Sequence, residues 1–184
     1  MQPQTDPRNP TGIRFREASL TGIQIAPEFH VAILEWFKKG KGFLVFLGSV
    51  GTGKTYFCSA LINYNIKTPR FDTVRYWDEK SLLGRVRSSM DQGGDYIETL
   101  NYLCDYELLI LDDVGATGIN EWRKEMLLSV LDQRYRIQRP AVFTSNLTPN
   151  DFLSLYGDRI HSRLFATENT LIEAWTGDLR QKGL

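Results

Sequence analysis

The sequence predicts an α/β fold: a three-layer sandwich with helices on both faces of a five-stranded parallel sheet. Three observations predict it. Short apolar runs, FLVFL at 43–47, LLIL at 108–111 and AVF opening 141–145, have no polar face, as befits strands buried on both sides of a parallel sheet. Longer segments with helical apolar spacing separate them, so strands and helices alternate. The first run also leads directly into a glycine-rich turn and then a helical segment, a strand–loop–helix unit.

Residues 1–12 hold three prolines and no apolar period, and the next stretch, RFREASLTGIQI, has no firm pattern. Residues 1–28 therefore read as a partly flexible N-terminal arm, and 29–184 as one main domain. Within 27–39, Phe29, Ala32, Ile33, Trp36 and Phe37 recur at helical spacing until Gly40 stops the helix. The first strand is 43–47, followed by the glycine-rich turn and a helix over 54–65. TVRYW at 73–77 is a second strand, rich in β-branched and aromatic residues. Helices at 79–90 and 96–105 flank a DQGGD loop, and 108–111 is the third strand. An amphipathic helix over 121–137, a fourth strand at 141–145, a single helix over 151–165 and a fifth strand at 171–175 precede a short tail.

With 184 residues, 42% of them hydrophobic, the chain can bury one sizeable core. Lys plus Arg and Asp plus Glu both number 22, so no overall positive field draws it onto nucleic acid, and any such contact needs a local patch. Cys58 and Cys104 sit inside apolar helical patterns without metal-ligand spacing, as buried thiols in a reducing compartment do. No apolar run approaches the ~18 residues of a membrane span and no signal core opens the chain, so a cytoplasmic protein without a membrane partner is expected.

The turn, GSVGTGKT at 48–55, fits G-x-x-x-x-G-K-[ST]. Gly48, Gly51 and Gly53 let backbone N–H groups turn inward around phosphate oxygens, with Ser49, Val50 and Thr52 completing the loop and Tyr56 following it. Lys54 would set its ammonium against the β and γ phosphates, and Thr55 would offer a hydroxyl to Mg²⁺. ATP and Mg²⁺ are thus the expected cofactors. LLILDDVG at 108–115 supplies the second strand such a loop needs: Asp112 to hold Mg²⁺ through its water shell, and Asp113 to orient or deprotonate the attacking water.

Further on, PAVFTSNL ends a strand in Thr144, Ser145 and Asn146, GDRIHSRL sets Arg159 and Arg163 four apart, and DLR carries Arg180. In the order GxxGxGKT, LDD, TSN, DRIxSRL, DLR, the chain resembles the ATPase domain of bacterial replicative-helicase loaders of the DnaC and DnaI type, and its transposon relative IstB, all AAA+ P-loop proteins. The resemblance implies an AAA+ sandwich lacking a full C-terminal helical lid. It implies sensor I at Asn146, sensor II at Arg180, an arginine finger at Arg163 that acts on a neighbour's nucleotide, and Arg159 assisting at that junction. Lys54 and Asp113 complete the catalytic set. The helix at 79–90 stands where the family meets DNA, which makes Lys80, Arg85 and Arg87 candidate contacts for single-stranded DNA.

The implied function is an ATPase that self-associates into a ring or open spiral and loads or remodels a hexameric DnaB-type helicase in DNA replication. Loaders usually carry a separate helicase-gripping domain, whereas here only 1–28 precedes the ATPase domain, a size that suits a phage or mobile-element version. One alternative is an IstB-like regulator that binds duplex DNA and recruits a transposase. The other is a nucleotide-switched adaptor that captures a host replication protein; the intact set Lys54, Asp112, Asp113, Asn146 and Arg163 speaks against it.

Overall fold

The computed structural model describes residues 10–11, 15–116 and 118–175. Five strands, β1 (Phe43–Gly48), β2 (Val74–Asp78), β3 (Leu108–Val114), β4 (Ala141–Ser145) and β5 (Thr170–Ala174), form one sheet in the order β2-β3-β4-β1-β5. Every pairing is parallel. Seven helices accompany them among the described residues: α1 (Pro27–Lys39), α2 (Lys54–Lys67), α3 (Glu79–Asp91), α4 (Tyr96–Cys104), α5 (Glu121–Arg136), α6 (Pro149–Tyr156) and α7 (Asp158–Leu164).

The period of two along each strand divides the apolar residues between two cores. Phe43, Val45 and Leu47 of β1, with Leu109 and Leu111 of β3, pack with Leu82, Val86, Val130, Ile160 and Leu164 from the helices on one face. Leu44 and Phe46, with Leu108 and Ile110, pack with Ile33, Trp36, Phe57 and Leu61 of α1 and α2 on the other. This double burial is why the β1 and β3 sequences show no alternation, and it gives the three layers expected from the sequence.

Most element boundaries agree within two residues with the sequence reading, with three informative differences. The helix read as continuous over 151–165 is two helices. Gly157, at φ 82° and ψ 172°, breaks it, while Thr148 and Asp151 close a reciprocal capping box at the start of α6. Second, β3 runs on through both aspartates to Val114. Third, part of the segment read as an arm is packed: Ala18, Leu20 and Ile23 are buried in the α1–α2 core. Asn63 of α2 donates to the Ala18 carbonyl at 2.8 Å, and the Tyr56 hydroxyl accepts the Ser19 N–H at 3.2 Å. Both cysteines are free and buried, and no helix among the described residues is long and apolar enough to cross a membrane.

Candidate nucleotide-binding site

Three neighbouring strands deliver the site at their C-terminal ends: β1 leads into the glycine loop, β3 ends in the paired aspartates, and β4 runs into Asn146. In the loop, Gly51 (φ 85°) and Gly53 (φ 90°) adopt the left-handed backbone that turns successive N–H groups inward. Gly48 is glycine for lack of room, since a Cβ there would lie 2.5 Å from the Ala174 carbonyl oxygen of β5. Thr52 ties the loop down by donating to the Ser49 carbonyl at 2.9 Å, and Val50 stands exposed at its tip.

Lys54, the first residue of α2, is only 7% exposed. Its ammonium donates to the carbonyls of Gly48 (2.8 Å) and Ser49 (2.9 Å) and to Oδ1 of Asn146. Asn146 in turn donates from Nδ2 to Asp113 Oδ1 at 3.1 Å. Lys54, Asn146 and Asp113 therefore form one hydrogen-bonded chain linking the ends of β1, β4 and β3.

A β-bulge gives the two aspartates different settings. The β3–β4 register pairs Leu111 with Phe143 and next Val114 with Ser145, so Asp112 and Asp113 together oppose the single residue Thr144. Asp113 takes the extra position with φ 61°, unusual outside glycine. Thr144 holds the bulge in place: its hydroxyl accepts the Asp113 N–H at 2.9 Å and donates to Asp112 Oδ1. Asp112, 2% exposed, also accepts from Thr55 Oγ1 and the Tyr76 hydroxyl, both at 2.8 Å on Oδ2, and has the Cys58 thiol at 3.7 Å from Oδ1. Burial, followed by the Asp112 charge, pushes the Cys58 thiol and the Tyr76 phenol well above their ordinary pKa ranges, so both keep the protons they donate.

Asp113 has a different environment. It is half-buried, and burial followed by the adjacent Asp112 charge raises its pKa above the usual aspartate value, against the pull of Lys54 and Asn146. A carboxylate of raised basicity beside one held by fixed donors suits a division between base and metal ligand.

Thr55 Oγ1 and Asp112 Oδ2 are hard oxygen donors of the kind Mg²⁺ prefers. Among the described residues no group of three or more His, Cys, Asp or Glu side chains could hold a metal ion by itself, so a cation here would take further oxygens from phosphate and water. The donor set fits a Mg²⁺–nucleotide.

Other residues expected at the site lie apart from this cluster. The Tyr56 hydroxyl turns to the segment before α1. Arg163 on α7 ion-pairs through Nε with Asp132 of α5 and donates from Nη1 to the Arg159 carbonyl at 3.0 Å, while the Arg159 side chain is exposed. Arg180 lies outside the described residues. Lys80, Arg85 and Arg87 are all exposed on α3, but only Lys80 and Arg87, seven apart, share a face; the Arg87 guanidinium lies 5.9 Å from the Trp122 ring centre.

Sequence reasoning missed Thr144 as the clamp, Tyr76 and Cys58 as donors, and Glu79. The buried Glu79 carboxylate accepts the Gly115 N–H at 3.1 Å and the Tyr156 hydroxyl at 3.4 Å, tying the end of β3 to α6. The signal for Tyr76 lay in strand order, since only the β2–β3 pairing brings it to Asp112.

Comparison with known proteins fits this geometry. Residues 22–165 match the family model described as IstB-like ATP binding protein. The replicative helicase loader DnaC of Buchnera aphidicola is 27% identical over 165 residues, covering 84% of this chain and 66% of that protein. The replicative helicase loader DnaI of Bacillus subtilis is 32% identical over 114 residues, covering 61% of this chain and 35% of that protein. The chain therefore spans between about one third and two thirds of these relatives' lengths. Among solved structures, the DnaC helicase loader superposes with a TM-score of 0.75 at 22% identity, over 88% of this chain and 99% of that one. Replication initiator DnaA bound to AMPPCP and single-stranded DNA gives 0.73 at 22% identity, over 85% and 49%. At those identities the structural likeness speaks for the fold.

Proposed function

Because this chain belongs to the IstB-like ATP-binding family, with the AAA+ P-loop fold, we propose that it hydrolyses ATP and uses the cycle to load or remodel a hexameric DnaB-type helicase on single-stranded DNA. The observation that carries the hydrolytic half is the β3 bulge, which turns two consecutive aspartates into a fixed metal-side carboxylate and a more basic, half-buried one. A site built only to bind nucleotide needs no such second group.

The chain's residues divide the work as follows. Loop N–H groups and the N-terminus of α2 receive the phosphates. Lys54 exchanges its loop carbonyls for β and γ phosphate oxygens, which are stronger, charged acceptors. That exchange draws the ammonium away from Oδ1 of Asn146, whose Nδ2 donates to Asp113, so filling of the phosphate site is passed to the base through the loss of this lysine–asparagine bond. Mg²⁺ would neutralise developing phosphate charge from Thr55 and Asp112. Asp113 orients water and takes its proton. Arg163, released from Asp132, would reach the nucleotide of an adjacent subunit in a ring or open spiral, and Lys80 and Arg87 would face DNA along α3. The curated relatives named above are helicase loaders, which favours a replicative partner over a transposase.

The deciding experiment compares wild type with Asp113→Asn. Fluorescent ATP binding with Mg²⁺ should be preserved while phosphate release falls by about a hundredfold or more, as loss of a general base implies. Equal losses of binding and turnover would make Asp113 structural or a metal ligand. For the second half, wild type with ATP should deposit a DnaB-type hexamer on a circular single strand, and Asp113→Asn should stall that cycle; a hexamer whose loading ignores the protein overturns the partner assignment.

A further inference from the structure

At the opposite, N-terminal ends of the strands lies a second concavity, about 370 Å³ in volume. Its wall is formed by the α1–β1, α5–β4 and α7–β5 connections, and it holds five cations, Lys39, Lys41, Arg134, Arg136 and Arg139, against one carboxylate, Glu168. In a chain with 22 basic and 22 acidic residues, that is a strong local segregation of charge.

Two of the five are part of the architecture. Arg134 is fully buried and donates to the carbonyls of Cys104 (3.3 Å), Tyr106 (2.9 Å), Glu107 (3.0 Å) and Pro140, while its Nε has no hydrogen-bond partner among the described residues. It fixes a positive charge that meets carbonyl dipoles and, among the described residues, no carboxylate. Burial brings its pKa down to about 10, which leaves it charged at neutral pH. Arg139 donates to the Cys104 carbonyl at 2.9 Å and sits 3.8 Å from the Asp105 carboxylate. Lys39, Lys41 and Arg136 are exposed.

Aromatic rings accompany these charges. Tyr135, 57% exposed, lines the cavity itself. Beyond the 104–107 carbonyls that Arg134 and Arg139 grip, Tyr106 and the 45% exposed Tyr102 stand at 5.4 and 5.9 Å from the Arg75 guanidinium on the edge strand β2. The row of cations and rings thus crosses the start of β1, β4, β3 and β2, three inter-strand gaps or about 14 Å. A single free anion needs no such length, and in a single-stranded nucleic acid every charged unit carries a flat base that can stack on a tyrosine.

We propose that this basic cavity and its flanking tyrosines bind the phosphate backbone of single-stranded nucleic acid, at a surface separate from both the nucleotide site and α3. The proposal rests on the reading of the protein as a single-strand binder. It adds a second contact on each subunit, at the end of the sheet remote from the ATP loop, so strand and nucleotide can be held together. Phosphates pair with the lysines and arginines, and bases stack on the exposed rings.

The test uses the whole chain and a fluorescent oligothymidylate of about 20 nucleotides, long enough for several contacts. The triple variant Lys39→Gln, Lys41→Gln, Arg136→Gln should weaken binding at least about tenfold. It should also make the dependence of log K on log salt shallower by about 2, three contacts at roughly 0.7 each. Tyr135→Ala should weaken binding about fivefold or more, as loss of one stacked base implies. Labelled ATP should bind both variants as it binds wild type, which also reports that they fold. Wild-type affinity and slope in the triple variant, with loss confined to a Lys80/Arg85/Arg87→Ala variant, would overturn the cavity assignment and leave the proposed function standing. Failure of wild type to bind the oligonucleotide in any nucleotide state would overturn both. Displacement of the oligonucleotide by inorganic phosphate or polyglutamate at equal charge, or tighter binding of a duplex of the same length, would overturn the single-strand assignment alone.

Discussion

At the candidate nucleotide site Thr144 links the two aspartates of β3. Its one hydroxyl satisfies the Asp113 N–H and anchors Asp112, with the side chain fully buried. Thr144→Val keeps the shape but leaves a buried N–H unpaired, so it should cost about 1–3 kcal/mol in denaturant unfolding. Turnover should fall further than Mg²⁺–ATP binding, because Asp113 loses its fixed position; an unchanged ratio of the two would show that the bulge does not position the base. At this scale the sequence was legible where a residue's neighbours along the chain define it, as for Lys54 in its loop or Asp112 at the end of an apolar run. Thr144 and Tyr76 were illegible because their partners lie 32 and 36 residues away, across strand pairings.

Among the elements, Gly157 carries a similar lesson. A glycine inside an apolar helical pattern is tolerated at modest cost, so the pattern over 151–165 reads as one helix. What breaks it is a backbone conformation that side chains resist: φ 82° with ψ 172° belongs almost solely to glycine. A Cβ there would meet nothing within 4 Å, so the demand is conformational and not spatial. Gly157→Ala should therefore destabilise the fold by about 1–3 kcal/mol. It should also swing α7, and with it Arg163, so that ATPase activity at concentrations where subunits associate falls more than ATP affinity does. Equal stability and activity in thermal melts and turnover assays would mean that the break relaxes freely. The stretch RFREASLTGIQI within the 1–28 segment gave no firm pattern for a related reason. Ala18, Leu20 and Ile23 bury themselves without any regular period, and only the α2 surface they meet explains them.

For the molecule as a whole, the strand–helix alternation and the double burial of β1 and β3 made the sandwich legible, while strand order and charge segregation appear only in three dimensions. One ion pair bears on the proposed action of Arg163 across a subunit junction. Arg163 is held by Asp132 of its own chain, so its assignment as a finger requires release towards a neighbour. Lys54→Ala subunits, unable to bind ATP, still carry Arg163; Arg163→Ala subunits still carry an intact loop. Each variant alone should hydrolyse ATP poorly, with losses approaching ~10³ for the arginine if it acts as other fingers do. Mixtures should recover part of the rate. Mixtures as inactive as their components, under conditions where wild-type subunits associate, would leave Arg163 a partner of Asp132 and nothing more.

The order β2-β3-β4-β1-β5 also has a consequence in time. Of the five strands, β1 is made first, yet both its partners, β4 and β5, are made last. Between Gly48 and Ser145 lie 96 residues, about 5 to 20 s of synthesis, during which an apolar strand is made with no neighbour to pair with. The nucleotide loop, joined to that strand, cannot assemble earlier than β4. Ribosome-bound chains ending before residue 141 should thus be cut readily by protease and gain nothing from ATP, whereas chains long enough to expose residue 175 should become resistant in a single step. Resistance appearing while β4 is still unmade would mean that β1 finds shelter elsewhere during synthesis, in a trigger factor or in a transient packing against α1 and α2.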